Sequence, residues 1–186
     1  MLVSRSPLRI SLGGGGTDLP SYYRSRGGFL ISAAINKYVY CSLTEPFEKG
    51  IYLKYSDIEH VKEISEIKHK IIKEVLKTHK DISEQIEITT LADIPSGTGL
   101  GSSGSFTCAL LKAVHAFKKE YISNQSIAQE ACHIEIEKMN QPIGKQDQYA
   151  SALGGVRIFE FNSDETVNSR LLKLSSNELK EFEDHL

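Results

Sequence analysis

The stretch Pro95-Ser-Gly-Thr-Gly-Leu-Gly-Ser-Ser-Gly104 holds four glycines and three serines in ten residues and leads directly into a helical pattern. Glycines let backbone N–H groups turn inward around an anion without a clash from Cβ. A helix that begins near Gly104 would aim its unpaired N–H groups and the positive end of its dipole at the same anion. The hydroxyls of Ser102 and Ser103 could bind phosphate or a metal ion. The stretch therefore predicts a polyphosphate site.

Other interpretations of this loop are weaker. It is not a Walker A loop, because no Gly-Lys-Ser or Gly-Lys-Thr closes it. Gly99-Leu-Gly-Ser-Ser-Gly104 fits the dinucleotide pattern G-x-G-x-x-G, which needs a βαβ unit with an acidic residue about 20 positions further on. Here residues 118–124 lead into a second helical pattern instead. A glycine loop without a ligand is also disfavoured, since four glycines cost backbone entropy for no local gain.

The ten-residue segment resembles the phosphate-binding motif of the GHMP kinases, the superfamily of galactokinase, homoserine kinase, mevalonate kinase and phosphomevalonate kinase. In that family the motif wraps the phosphates of ATP. Gly104 departs from the pattern, which more often has Ala at that position. The resemblance implies that ATP is the cofactor and that it is bound by Pro95, Gly97, Thr98, Gly99, Leu100, Gly101, Ser102 and Ser103.

The N-terminal segment combines a strand pattern over Leu2–Leu12 with four glycines and Thr17-Asp18. From the residues alone, Asp18 could bind hydroxyl groups or cap a helix. Pro7-Leu-Arg9 and Thr17-Asp18 match positions of galactokinase-like members, which implies that Gly16, Thr17 and Asp18 contact a sugar. The family's acidic and histidine positions before Thr-Asp are glycines here. The form Gly-Gly-Gly-Gly-Thr-Asp-Leu-Pro-Ser-Tyr-Tyr resembles the bacterial D-glycero-D-manno-heptose 7-phosphate kinase branch.

A helix predicted from about Ser123 to Met139 places Glu135 in the middle of its apolar face, opposite Glu130 and Glu137. A buried carboxylate is costly unless it is paired or binds a metal, so an ion pair with Arg or Lys is the alternative to a metal site. In galactokinases a metal-binding Glu lies twelve residues before the catalytic Asp. The resemblance therefore implies a Mg²⁺ site.

The implied Mg²⁺ ligands are Ser103 and Glu135, with Glu137 as the second choice, because Glu135 lies twelve residues before Asp147. Gln141-Pro-Ile-Gly-Lys-Gln-Asp147-Gln-Tyr resembles the family segment that ends in Gly-x-x-Asp-Gln. Asp147 would orient the acceptor hydroxyl and accept its proton, and Arg9 would lie beside it and offset transition-state charge. As an alternative, Asp147 would only open a short helix over 148–153.

The composition is that of an ordinary globular protein, with 40% apolar residues, 25% charged residues and a formal net charge of −2 over 186 residues. The absence of a basic surplus argues against nucleic acid as a partner, and no run approaches the 18 apolar residues of a membrane span. Cys41, Cys108 and Cys132 have no metal-ligand spacing and suit buried thiols in a reducing cytoplasm. The sequence does not specify an oligomeric state.

The remaining periodic segments predict alternating strands and helices. We expect a capping box at Ser56–Glu59 to open a helix that runs to Lys80. A second helix should begin at Ser105 and a charged one at Ser176. The other strands are expected at 28–44, as one strand or a kinked pair, and at 51–55, 85–91 and 156–161.

The resemblance implies an α+β fold in which the N-terminal half is like the second domain of ribosomal protein S5 and the C-terminal half is ferredoxin-like. We expect residues 1–162 to form the ATP-binding domain and 163–186 to begin the second domain, which would be absent or only begun. Such a fragment would bind nucleotide but turn over poorly. The expected reaction transfers the γ-phosphate of ATP to a sugar hydroxyl, that of D-glycero-D-manno-heptose 7-phosphate giving the 1,7-bisphosphate. Fucose, galactose or a mevalonate-type alcohol, or a non-catalytic sugar sensor, are the alternatives.

Overall fold

The longest strand, Gly28–Thr44, organises a seven-stranded sheet in the computed structural model, which describes residues 1–82 and 85–185. The strands are β1 Leu2–Gly13, β2 Gly28–Thr44, β3 Gly50–Lys54, β4 Ile58–Val61, β5 Gln85–Ala92, β6 Val156–Phe161 and β7 Val167–Leu171. The helices are α1 Pro20–Arg26, α2 Lys70–Thr78, α3 Ser102–Phe117, α4 Asn124–Cys132, α5 Gln146–Leu153 and α6 Ser176–Asp184, with short 3₁₀ turns at Ile64–Glu66 and Lys80–Ile82.

β2 is long enough to pair with three strands. β1 runs antiparallel along one edge, from Leu2 opposite Leu43 to Gly13 opposite Ile31. The other edge is shared, with β5 beside residues 39–44 and β6 beside residues 28–33. β3 then adds parallel to β5, and β4 and β7 form the two ends of the order β4-β3-β5-β2-β6-β7. The single-strand alternative for 28–44 is therefore confirmed, as are the strands expected near β1, β3, β5 and β6.

Helix α3 connects the sheet to α5. It packs on β1 and β2, and nine of its residues are buried. The hydroxyl of Ser105 donates to the backbone carbonyl of Pro7 at 2.7 Å and lies 2.7 Å from the hydroxyl of Ser151 on α5. This buried polar contact holds α3 between β1 and α5, the two elements that carry the predicted catalytic pair.

The helix predicted from Ser56 to Lys80 is wrong over its first half. Residues 58–61 instead pair antiparallel with β3, and Glu59 is buried in the edge strand β4. Its carboxylate accepts backbone N–H groups of Lys68 at 2.8 Å and His69 at 3.2 Å, so it caps a distant turn and not its own segment. Pairing with an open sheet edge outweighs the local capping signal here. Only α2 remains of the expected helix.

The sheet continues past residue 162. β7 pairs with β6 from Val167 opposite Phe161 to Leu171 opposite Arg157. Residues 167–171 therefore extend the same sheet, and the domain boundary after 162 stays a prediction. The charged helix expected from Ser176 is α6, which Ser175 opens with a capping box to Glu178.

The three cysteines are free and buried, as the sequence predicted. Burial raises the pKa of Cys41 to about 12 and also raises the pKa values of Cys108 and Cys132. These thiols are therefore packing groups and not nucleophiles. Of the helices in residues 1–82 and 85–185, none combines the length and apolar character that crossing a bilayer requires.

Candidate active site

The glycine loop adopts backbone angles that side chains disfavour. Gly97, Gly99 and Gly101 have φ values of 83°, 77° and 76°, all in the left-handed region. Gly101 is the N-cap of α3 and offers no side-chain cap, so the first N–H groups of a 16-residue helix are left for a ligand. The helix begins at Ser102 and not near Gly104, so Ser102 and Ser103 belong to its first turn. This geometry fits an anion at the loop.

Arg9 joins the loop to Asp147. Its Nε donates to Oδ1 of Asp147 at 2.7 Å and Nη2 makes a short contact with the same oxygen. Its Nη1 donates to the carbonyl of Gly99 at 2.8 Å, and its backbone N–H donates to the carbonyl of Leu100 at 3.0 Å. The predicted proximity of Arg9 and Asp147 is thus present. Within the described residues, Oδ2 of Asp147 accepts no hydrogen bond from the protein, although the side chain is only 29% exposed.

Glu135 occupies the inward position that its helical phase predicted. It is 1% exposed and lies in a π-helical turn, His133–Lys138, that continues α4. Its Oε2 accepts the Ser103 hydroxyl at 2.5 Å, and its Oε1 accepts Nε2 of Gln148 at 3.1 Å. Burial raises the pKa of Glu135, and neutral hydrogen-bond donors only partly oppose that rise.

The expected alternative for Glu135, an ion pair with Arg or Lys, is not what the structure has. Its side-chain partners in residues 1–82 and 85–185 are all neutral. Glu137, the second choice as metal ligand, is exposed and lies 2.7 Å from Nδ1 of His133. The oxygens of Ser103 and Glu135 converge beside the loop, and hard oxygen ligands are what Mg²⁺ prefers. The hydroxyl of Ser102 is buried without a partner in the described chain, which leaves it for a ligand.

The predicted sugar contacts lie beside α5, but two of them already have partners. Asp18 is 6% exposed; its Oδ2 accepts the backbone N–H of Gln146 at 3.0 Å and its Oδ1 accepts that of Gly16 at 3.2 Å. The Thr17 hydroxyl bridges to the backbone of Phe29. The visible role of Asp18 is to fix the start of α5 and hence Asp147. Its contact with a sugar stays a prediction.

Glu165 is a site-supporting residue that sequence reasoning missed. It lies in the β6–β7 turn, where its Oε2 accepts the ammonium of Lys145 at 2.7 Å and its Oε1 accepts Nε of Arg24 at 2.7 Å. Tyr23 makes a short contact with the same carboxylate. Burial opposes ionisation, but these three donors outweigh it and lower the pKa of Glu165 to about 2. Lys145 is therefore held by Glu165. No local pattern in the sequence marks this long-range contact.

A cleft of about 700 Å³ runs from Arg9 and Asp147 along the glycine loop to an aromatic end. At that end the ring of His69 stacks on Phe106, with centroids 4.9 Å apart, and meets the edge of Tyr55 at 4.7 Å. Burial lowers the pKa of His69, so its imidazole is neutral near pH 7. The sequence alone assigns neither His69 nor Phe106 a role in the site.

The arrangement excludes the dinucleotide alternative. The strand before the loop, β5, is antiparallel to β2, and α3 is followed by α4 and not by a strand. The βαβ unit that a G-x-G-x-x-G site needs is therefore missing from the described residues around the loop.

Comparison with known proteins finds a family match over the segment that contains the glycine loop. Residues 66–155, which include the loop, Glu135 and Asp147, match the family model described as the GHMP kinases N terminal domain. This segment is similar to the N-terminal domain of GHMP kinases. The matched segment holds the left-handed glycines of the loop, the N-terminus of α3 and Asp147, whereas Arg9 lies outside it.

Three relatives are similar to this chain over most of its length. The chain is 29% identical over 188 residues to the D-glycero-alpha-D-manno-heptose 7-phosphate kinase of Campylobacter jejuni, which covers 93% of this chain and 54% of that protein. It is 27% identical to the L-fucokinase/L-fucose-1-P guanylyltransferase of Bacteroides fragilis, over 84% of this chain and 20% of that one. A D-glycero-D-manno-heptose 1-phosphate kinase structure from Bacteroides thetaiotaomicron superposes with a TM-score of 0.85 at 30% identity, over 94% of this chain and 61% of that one. The chain spans about half the length of the curated heptose kinase that it matches.

Proposed function

We propose that this GHMP kinase domain serves an ATP-dependent sugar kinase that transfers the γ-phosphate to a hydroxyl group. The observation that carries the proposal is the Arg9–Asp147 pair beside the glycine loop, where Arg9 contacts both the carboxylate and the carbonyl of Gly99. A carboxylate next to a phosphate-binding loop is positioned to act on an acceptor hydroxyl, and in-line positioning is most of what phosphoryl transfer needs.

The nucleotide would lie along the cleft. Its phosphates would accept N–H groups of the loop and of the first turn of α3, with the Ser102 hydroxyl as a further donor. The aromatic end, formed by Tyr55, His69 and Phe106, would take the base. A neutral imidazole and two aromatic rings offer stacking surfaces without a charge to desolvate.

Ser103 and Glu135 would hold Mg²⁺, which supplies charge neutralisation at the phosphates when bound. The buried carboxylate of Glu135 has no cationic partner among the described residues, so a divalent cation would offset the cost of its burial. Gln148 fixes the second oxygen of Glu135, and Ser103 donates to the first.

Asp147 would orient the acceptor hydroxyl and accept its proton. Arg9 binds Oδ1, which leaves Oδ2 for the hydroxyl, and the guanidinium offsets the negative charge that develops on the phosphoryl oxygens. Gly16 faces open space next to Asp18, so an acceptor could approach α5 from that side.

The acceptor that we favour is D-glycero-D-manno-heptose 7-phosphate, converted to the 1,7-bisphosphate. Support comes from the Gly-Gly-Gly-Gly-Thr-Asp segment and from the two heptose phosphate kinases, whose names place the substrate's phosphate at position 7 and at position 1. A fucose acceptor has support from the fucokinase relative. We also place the protein in the cytoplasm, where ATP is available.

A sugar panel tests this proposal. ATP consumption would be measured with heptose 7-phosphate, heptose 1-phosphate, fucose, galactose and mevalonate at equal concentrations. We expect heptose 7-phosphate to give the largest kcat/KM. Preference for another member of the panel would contradict heptose 7-phosphate as the acceptor but would still support a sugar kinase. Nucleotide binding without turnover of any member would favour the sugar sensor instead.

A further inference from the structure

We propose that His79, His115 and Glu130 form a binding site for a divalent transition-metal ion such as Zn²⁺, separate from the nucleotide site. Nε2 of His79 lies 2.8 Å from Oε1 of Glu130, and Nε2 of His115 lies 2.8 Å from Oε2 of the same carboxylate. The three ligand atoms lie within 4.8 Å of one another. Two imidazoles and one carboxylate are a ligand set that Zn²⁺ commonly takes, with a further position for water.

The three residues come from three different helices. His79 is the C-cap of α2, His115 lies in the last turn of α3, and Glu130 lies on α4. The side chains are 7%, 11% and 20% exposed, so the cluster is mostly dry yet reachable from solvent. The two histidine rings meet edge to face with centroids 5.0 Å apart, which directs both Nε2 atoms to one carboxylate. An ion there would connect the ends of α2 and α3 to α4.

The outer contacts of His115 are those of a metal ligand. Its Nδ1 lies 2.9 Å from Oε2 of Glu120, while its Nε2 is directed at Glu130. Metal-bound histidines usually donate the other ring N–H to a carboxylate, which fixes the tautomer and raises the basicity of the ligand nitrogen. An ion on Nε2 would leave Nδ1–H directed at Glu120.

Lys118 is a cationic group beside the cluster, and two carboxylates hold its ammonium. Its ammonium lies 3.5 Å from Nδ1 of His79, a weak contact, but 3.0 Å from Glu120 and 3.3 Å from Asp81. With a metal on Nε2, Nδ1 of His79 would carry the proton and the ammonium would keep its two carboxylates. The carboxylates of Glu130, Glu120 and Asp81 lie beside the cluster and attract a dication.

The site is distinct from the proposed Mg²⁺ ligands. His115 is thirteen residues after Ser102 on α3, which at 1.5 Å per residue places it about 20 Å from the phosphate end of that helix. Imidazole ligands also select a different ion, since Mg²⁺ prefers oxygen. The two sites therefore differ in both place and chemistry.

Calorimetric titration of the chelator-treated protein with ZnCl₂ tests the proposal. We expect one Zn²⁺ per chain and a melting temperature that rises with added Zn²⁺. Glu130→Gln keeps the size of the side chain and should weaken binding at least about tenfold, as should His115→Ala. Mg²⁺ at the same concentration should not compete. Co²⁺ should give a visible absorption band in wild type that Glu130→Gln removes.

His133→Ala is the matched control, because His133 and Glu137 form a second His–Glu pair that is exposed on the surface. Its Zn²⁺ affinity should equal that of wild type. Circular dichroism of each metal-free variant distinguishes loss of binding from loss of folding. If His115→Ala does not fold, the conservative Glu130→Gln variant alone tests the site. Equal Zn²⁺ binding by wild type and Glu130→Gln, loss of binding in His133→Ala, or no binding by wild type would each overturn the site.

Discussion

Asp147→Asn should lower the rate of phosphoryl transfer at least about 100-fold and leave ATP affinity close to that of wild type. Asparagine has the shape of aspartate and its amide oxygen can still accept from Arg9, so the loop contacts of Arg9 persist. It cannot accept the proton of the acceptor hydroxyl or carry the negative charge that orients it. The loss should therefore appear in kcat and not in nucleotide binding, measured with the sugar that the panel identifies.

The control for this change is Asp184→Asn, which removes the same charge from an exposed position on α6. Its rate should match wild type. An Asp147→Asn protein that retains more than a tenth of wild-type kcat would contradict the catalytic role. It would leave Asp147 as a partner of Arg9 in the first turn of α5.

Gly144→Ala should destabilise the fold by about 3 kcal/mol, which in a chain of this size lowers the melting temperature by about 10 °C. A Cβ on Gly144 would lie 1.9 Å from Oδ2 of Asp18 and 2.3 Å from its Cγ. Asp18 is buried and that oxygen accepts the backbone N–H of Gln146, so it cannot move without leaving a buried group unpaired. Because Gln146 begins α5, the displacement would also shift Asp147.

Gly13→Ala provides the comparison for Gly144→Ala. A Cβ at Gly13 would meet no atom within 4 Å, and its backbone is not in the left-handed region. The melting temperature of Gly144→Ala should therefore be about 10 °C below that of Gly13→Ala. Melting temperatures for Gly144→Ala and Gly13→Ala that agree would show that Asp18 is not held as tightly as its contacts imply.

The glycine loop and Glu135 could be predicted from the sequence because each depends on local information. Left-handed angles require glycine at Gly97, Gly99 and Gly101, and the helical period alone places Glu135 on the inward face. Both signals belong to single segments of chain. The Arg9–Asp147 contact, which joins residues 138 positions apart, came instead from the family resemblance.

Features that depend on contacts between distant segments could not be predicted in this way. Ser56–Glu59 matches the sequence pattern of a capping box, but residues 58–61 pair with the exposed edge of β3 instead. Gly104 looked like a minor departure from the family pattern, yet a Cβ there would lie 2.7 Å from Cβ of Asp147. That close approach of α3 to α5 exists only in the folded chain. The same holds for Glu165 and Lys145, and for the stack of His69 on Phe106.

We expect the glycine loop to bind a nucleotide whose phosphates share a Mg²⁺ ion with Ser103 and Glu135. Titration with a non-hydrolysable ATP analogue, with and without Mg²⁺, tests it on wild type and Glu135→Gln. Because burial raises the pKa of Glu135, its ionised form costs stability at neutral pH, so Glu135→Gln should be folded and at least as stable as wild type. We predict that Mg²⁺ tightens binding at least about tenfold in wild type and has no effect in Glu135→Gln. Equal Mg²⁺ dependence in the two proteins would contradict a Mg²⁺ site at Glu135, and preferential binding of NAD⁺ would contradict an ATP site at the loop.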